Sequence, residues 1–129
     1  MPRIVYDSPE IVASGPYSNA VDAGELVYFA GQTAMNSEAG VAYADDIQKQ
    51  TAQCFKNLLA LLKAAGLSES DVVKVNVYLT DMENFSEMNE EYKKYFSAPY
   101  PARTCIAVLG LPLGAEVEIE MIARKAKSN

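Results

Sequence analysis

Leu26-Val27-Tyr28-Phe29-Ala30 is apolar at every position, so a strand over these residues needs cover on both of its faces. Working outward, residues 19–22 and 26–30 flank Ala23-Gly24, which reads as the turn of a hairpin. Residues 3–6 form a short strand ended by Pro9, and Ser14-Gly15-Pro16-Tyr17 reads as a loop. Gly31 is expected to end the apolar strand, where the backbone approaches something closely.

After a loop at 36–40, an amphipathic helix is predicted over 45–65. Ile47, Thr51, Cys54, Phe55, Leu58, Leu61, Leu62 and Ala65 recur at 3 and 4 spacing. Asp45 and Asp46 suit its N-terminus, and Gly66-Leu67 its stop. Residues 72–80 alternate as a strand, with Val73, Val75, Val77 and Leu79 on one face and Lys74, Asn76 and Tyr78 on the other. A second helix over 84–96 aligns Phe85, Met88, Tyr92 and Phe96, with Pro99 and Pro101 as its stop. Strands over 102–108 and 116–123 complete the order β, β, β, α, β, α, β, β.

This order predicts one α+β domain spanning residues 1–129, a mixed sheet with both helices on one face. Two helices cannot also cover the second face. The two-sided strand at Leu26 therefore implies that copies of the chain bury it, making a homo-oligomer.

The chain has 129 residues, half of them hydrophobic, which excludes a disordered segment. Its 11 basic and 17 acidic residues give a net charge of −6, a field that repels phosphate backbones and argues against a nucleic-acid partner. No apolar run approaches the roughly 20 residues that span a bilayer. Met1-Pro2-Arg3 begins no signal peptide, and Cys54 and Cys105 form no C-x-x-C pair, so a cytoplasmic protein with reduced thiols is expected. The absence of histidine excludes a Ser-His-Asp triad, a Cys-His dyad and a histidine-ligated zinc. Proton transfer must then fall to carboxylates, Lys, Tyr, Cys or water.

In Arg103-Thr104-Cys105-Ile106-Ala107-Val108, strand periodicity groups Arg103, Cys105 and Ala107 on one face. The planar fork of Arg103 suits a carboxylate, although a structural ion pair would use the same residue. Glu116, Glu118 and Glu120 share a face of the last strand; Glu116 fits a solvated surface. A hairpin from the Arg103 strand would bring Glu118 or Glu120 towards the guanidinium. Like charges about 7 Å apart would then raise one pKa towards that of a useful base. Periodicity does not choose between them. Tyr17, in a rigid loop after Gly15-Pro16, fits core packing or turn support, Asn89 an exposed helix position, and Cys105 a small buried residue. Cys54 belongs to the core, and the basic stretch Arg124-Lys125-Ala126-Lys127 fits a solvated terminus.

Taken together, Gly15-Pro16-Tyr17-Ser18-Asn19-Ala20-Val21, Ala30-Gly31-Gln32, Ala64-Ala65-Gly66-Leu67, the stretch 89–96, Tyr100-Pro101-Ala102-Arg103-Thr104-Cys105 and Val117-Glu118-Ile119-Glu120 resemble the RidA/YjgF family of enamine/imine deaminases. The match runs in order along nearly the whole chain. It implies the chorismate-mutase-like fold, a homotrimer with a central barrel, and sites in clefts between subunits. By position, Arg103 resembles the family's substrate-carboxylate arginine and Glu118 its water-activating carboxylate. Tyr17 and Asn89 match pocket residues, Gly31 lies in the pocket wall, and the Cys105 backbone is similar to one that helps hold the ligand. Ala30 departs from the serine that many members carry before Gly-Gln.

The implied reaction is hydrolysis of 2-iminobutanoate or 2-iminopropanoate to a 2-oxo acid and ammonia, with no cofactor and no metal. Two rivals are an endoribonuclease that inhibits translation, a label the family also carries, and a non-catalytic module that binds small carboxylates.

Overall fold

The computed structural model describes residues 2–12, 15–37 and 43–125. Ser14, part of the predicted 36–40 loop, and Ala126 and Lys127 of the basic stretch lie outside these residues. Six strands and two helices follow the predicted order: β1 (Ile4–Tyr6), β2 (Ala20–Asp22), β3 (Leu26–Gln32), α1 (Ile47–Ala64), β4 (Val72–Leu79), α2 (Phe85–Tyr92), β5 (Ala102–Ala107) and β6 (Val117–Arg124). They form one mixed sheet in the order β1-β2-β3-β6-β4-β5, in which only β4 and β5 run parallel among the paired strands.

Alternation decides which strand residues reach the helices. On β6, Val117, Ile119, Met121 and Ala123 are buried, while Glu118, Glu120 and Ile122 occupy the opposite face. The buried row joins Val27 and Phe29 of β3, Val75, Val77 and Leu79 of β4, and Phe55, Leu58, Leu61 and Leu62 of α1 in one core. Each fully buried leucine contributes about 1.5–3 kcal/mol. Asp46 caps α1 by accepting the Lys49 amide at 3.0 Å. Gly66, at φ 76°, ends it: its N–H reaches the Lys63 carbonyl, and the Leu67 N–H reaches that of Leu62 at 2.8 Å.

Four sequence expectations require correction. The predicted hairpin between the Arg103 strand and the Glu118 strand does not form, because β4 lies between β5 and β6 and pairs with both. Strand β3 does not stop at Gly31: it continues to Gln32 through a register shift between Phe29 and Gln32. A second shift, between Val72 and Lys74, buries Val72 and leaves Val73 40% exposed. Helix α2 ends at Tyr92, short of Phe96 and both prolines, as the Lys94 and Tyr95 amides turn onto the Glu91 and Tyr92 carbonyls. Phe96 nevertheless packs on Phe55 and Tyr92.

Among the described residues no helix covers the second sheet face, and Tyr28 and Ile106 on it are each 47% exposed. No helix among the described residues is long and apolar enough to cross a membrane. Leu58→Ala, at a fully buried position of α1, is expected to cost about 2–5 kcal/mol in chemical denaturation. A loss below about 1 kcal/mol would contradict the placement of the core under this helix.

Candidate functional site

One cleft that gathers predicted site residues is built on the sheet face opposite the helices. A space of ≈ 320 Å³ is lined by Tyr17, Ala30, Gly31, Thr33, Asn36, Pro112, Leu113 and Glu118. Glu118 lies on β6 beside Tyr78 and packs directly onto Gly31: a Cβ added there would sit 2.8 Å from its carboxyl carbon. Burial pushes the Glu118 carboxyl up from its ordinary range, and Glu120, two residues along the same face, pushes it further. Glu120 is itself bound by the Tyr78 hydroxyl and by the Asn76 amide at 3.2 Å. Burial and those two glutamates also raise Tyr78 to about 12, with the hydrogen bond to Glu120 the largest cause, so Tyr78 keeps its proton near neutrality.

Across this cleft, Tyr17 receives a hydrogen bond from Asn36 Nδ2 at 3.3 Å. Asn36 closes a short capping box. Its Oδ1 accepts the Thr33 amide at 2.9 Å, and Thr33 Oγ1 accepts the Met35 amide at 3.2 Å. Leu113, at φ 60°, is 66% exposed at the rim.

The second cleft, of ≈ 380 Å³, is lined by Asn89, Tyr92, Lys93, Tyr100, Pro101 and Arg103. Arg103 pairs in register with Val75, which places it on the helix-covered face. Its Nη1 donates to Asn89 Oδ1 at 2.6 Å, and its guanidinium carbon lies 4.6 Å from the Tyr92 ring centre and 5.6 Å from that of Phe85. Positions 85, 89 and 92 fall on one side of α2, so a single helix supplies the whole cradle. No carboxylate among the described residues pairs with Arg103; the ion pairs there are Lys93–Glu90, Lys94–Glu91 and Lys125–Asp22. The rest of the fork is open to a planar anion.

Cys105 follows on the same face, and burial pushes its thiol up more than Arg103 pulls it down. It therefore stays protonated and is no activated nucleophile. β5 is a sheet edge, and edge strands present unpaired N–H and C=O groups to a ligand or another chain. Among the described residues, no three acidic or thiol side chains converge as a metal site.

Tyr17, Gly31 and Glu118 thus share one cleft, and Asn89 and Arg103 the other. The two sets do not meet within one chain, because Arg103 and Glu118 stand on opposite faces with β4 between their strands. Sequence reading missed several contributors. Thr33-x-x-Asn36 carries a recognisable capping spacing. Tyr92 was legible only as a core aromatic, and nothing local announces Leu113.

The family described as Endoribonuclease L-PSP matches residues 8–125. A RutC family protein of Pyrococcus horikoshii is 42% identical over 97% of this chain and 99% of its own. A 2-iminobutanoate/2-iminopropanoate deaminase of Mus musculus is 39% identical over 94% of this chain and 90% of its own. Among solved structures, Escherichia coli TdcF with bound serine superposes with a TM-score of 0.87 at 35% identity, covering 95% of this chain and 99% of that one.

The raised pKa of Glu118 also bears on stability. A carboxyl held above its unfolded value stabilises the fold fully only below that value, and the contribution is lost as pH rises through the folded pKa. Glu118→Gln is therefore expected to be more stable than wild type at about pH 7, with the gap closing at about pH 4. Equal guanidinium midpoints at the higher pH would contradict the burial of this group.

Proposed function

This chain belongs to the Endoribonuclease L-PSP family, the RidA/YjgF family, and we propose that it hydrolyses small 2-imino acids to 2-oxo acids and ammonia without a cofactor. The observation that carries the reading is Arg103. One guanidinium nitrogen is fixed by Asn89, Tyr92 supports its face, and no acidic side chain among the described residues occupies the rest of the fork. A carboxylate on the carbon next to an imine fits that vacancy with two parallel hydrogen bonds. The name of the Mus musculus relative and the serine bound to TdcF point to the same class of ligand.

Arg103 grips the substrate carboxylate and so orients the imine carbon. Glu118 takes a proton from water as the water oxygen adds to that carbon, giving a carbinolamine. That proton passes from Glu118 to the nitrogen, and Glu118 then takes the carbinolamine hydroxyl proton and delivers it to the same nitrogen as the C–O double bond forms and the C–N bond breaks, so that ammonia leaves the 2-oxo acid. A base with a raised pKa suits this relay, since it both accepts and returns the proton.

Because Arg103 and Glu118 of one chain lie on opposite sheet faces, the reaction needs two chains. We propose a homotrimer in which the open faces, with Tyr28 and Ile106, bury one another as a barrel and Arg103 of one subunit meets Glu118 of the next. The Tyr17–Gly31 wall and the Cys105 backbone then line one composite pocket.

Arg103→Ala and Glu118→Ala are each expected to lower 2-oxo acid formation from an imine generated in situ by about 10²–10⁴-fold. Mixing the two inactive variants and allowing exchange should restore activity, because one interface of a mixed trimer retains both groups. If wild type behaves like buffer, the deaminase reading fails. Retained 2-oxo acid binding would then favour a binding module, and RNA cleavage lost with Arg103→Ala a ribonuclease. No recovery on mixing, or a stable monomer in sedimentation at micromolar concentration, would defeat the shared site.

A further inference from the structure

Strand β3 contains a bulge whose shape is set from inside the core. Pairing with β6 runs Phe29↔Met121 and resumes at Gln32↔Ile119, so Ala30 and Gly31 together oppose the single residue Glu120. The extra residue reverses the alternation. Without it Gln32 would share the uncovered face; with it the side chain is fully buried.

A buried amide needs partners for both of its ends. Gln32 Nε2 donates to Asn19 Oδ1 at 3.1 Å, and Gln32 Oε1 accepts from Asn57 Nδ2 at 3.4 Å. Asn57 Nδ2 also reaches the Thr33 carbonyl at 3.3 Å, and Asn57 Oδ1 accepts from Gln53 at 2.9 Å. On the other side the Ala30 amide donates to the Asn19 carbonyl at 2.8 Å, and Asn19 Nδ2 donates to Asp7 at 2.9 Å. Residues 30, 32 and 33 are thereby tied down individually. Between them Gly31 is the surface on which the Glu118 carboxyl rests, too close for any side chain.

We propose that Gln32 and Asn57, neither of which lines the cleft, are positioning residues for Glu118, since their buried amide bonds hold the bulge that seats the Glu118 carboxyl on Gly31. Loss of either bond leaves a buried polar atom unpaired and frees the bulge to relax towards regular pairing. Gly31 then turns, and Glu118 swings out of its seat into solvent. The proposal rests on Glu118 being the base, so its test includes a measurement that does not depend on turnover.

Gln32→Met preserves length and volume, Asn57→Ala leaves the Gln32–Asn19 bond in place, and Gly31→Ala attacks the seat from the cleft side. In each folded variant the Glu118 carboxyl, followed by carbon NMR in the full-length protein, should titrate at lower pH than in wild type as solvent reaches it. The groups that share its field, Glu120 on β6, Tyr78 on β4, Tyr17 across the cleft and Cys54 on α1, are unaltered by these substitutions. In turnover, kcat of the Gln32 and Asn57 variants should fall by about 10²-fold, the cost of roughly 1 Å of misplacement, with KM little changed because Arg103 and the cleft lining are untouched. A substitution that merely loosens the core would lower the denaturation midpoint and leave both readouts alone. If Gln32→Met does not fold, Asn57→Ala carries the test of the amide bonds and Gly31→Ala that of the seat. A Glu118 titration identical to wild type in the folded variants overturns the proposal, and it does so even where wild type shows no turnover.

Discussion

Side chains alternate across a strand, and two register pairs place the chemistry of this protein under that constraint. Arg103 stands opposite Val75, whose side chain is buried beneath the helices, while Glu118 stands opposite Tyr78 on the uncovered face. Since β4 separates β5 from β6, no rotamer brings the guanidinium and the carboxyl together in one chain. The same sheet that makes a single core thus splits the candidate site in two, and the proposed reaction calls for a second chain to complete it.

The two halves are prepared differently. Arg103 is held by α2, with a short hydrogen bond to Asn89 and two aromatic rings near its plane, an arrangement that fixes direction while leaving charge unspent. Glu118 makes close contact with a glycine, next to a second carboxylate whose own bonds run to Tyr78 and Asn76. One group is held and aimed by its neighbours. The other is made reluctant to ionise by burial and by Glu120, which suits the proton relay proposed for it.

Several polar side chains are buried on α1 and at the end of β3. Gln32, Gln50, Gln53 and Asn57 are all buried, although the helix stripe read from the sequence contains only apolar residues and a threonine. Asn57, adjoining the apolar stripe, looks like a solvated neighbour until the strand bulge delivers the Gln32 amide to meet it. Gln32, Gln50 and Asn57 are tolerable inside because each is bonded at both ends.

Much of the architecture was legible in the chain itself. Period-two runs identified β4 and β6, 3 and 4 spacing identified α1, Gly66-Leu67 identified its stop, and the absence of histidine confined proton transfer to other groups. Arg103 and Glu118 emerged from their residue types together with the family resemblance. Strand order, both bulges, the early end of α2 and the face on which Arg103 stands were not legible, because each depends on which distant strand is the neighbour. Local sequence determines which side chains share a face; tertiary pairing alone decides which faces meet, since hydrogen bonds between strands carry no local record of their partner.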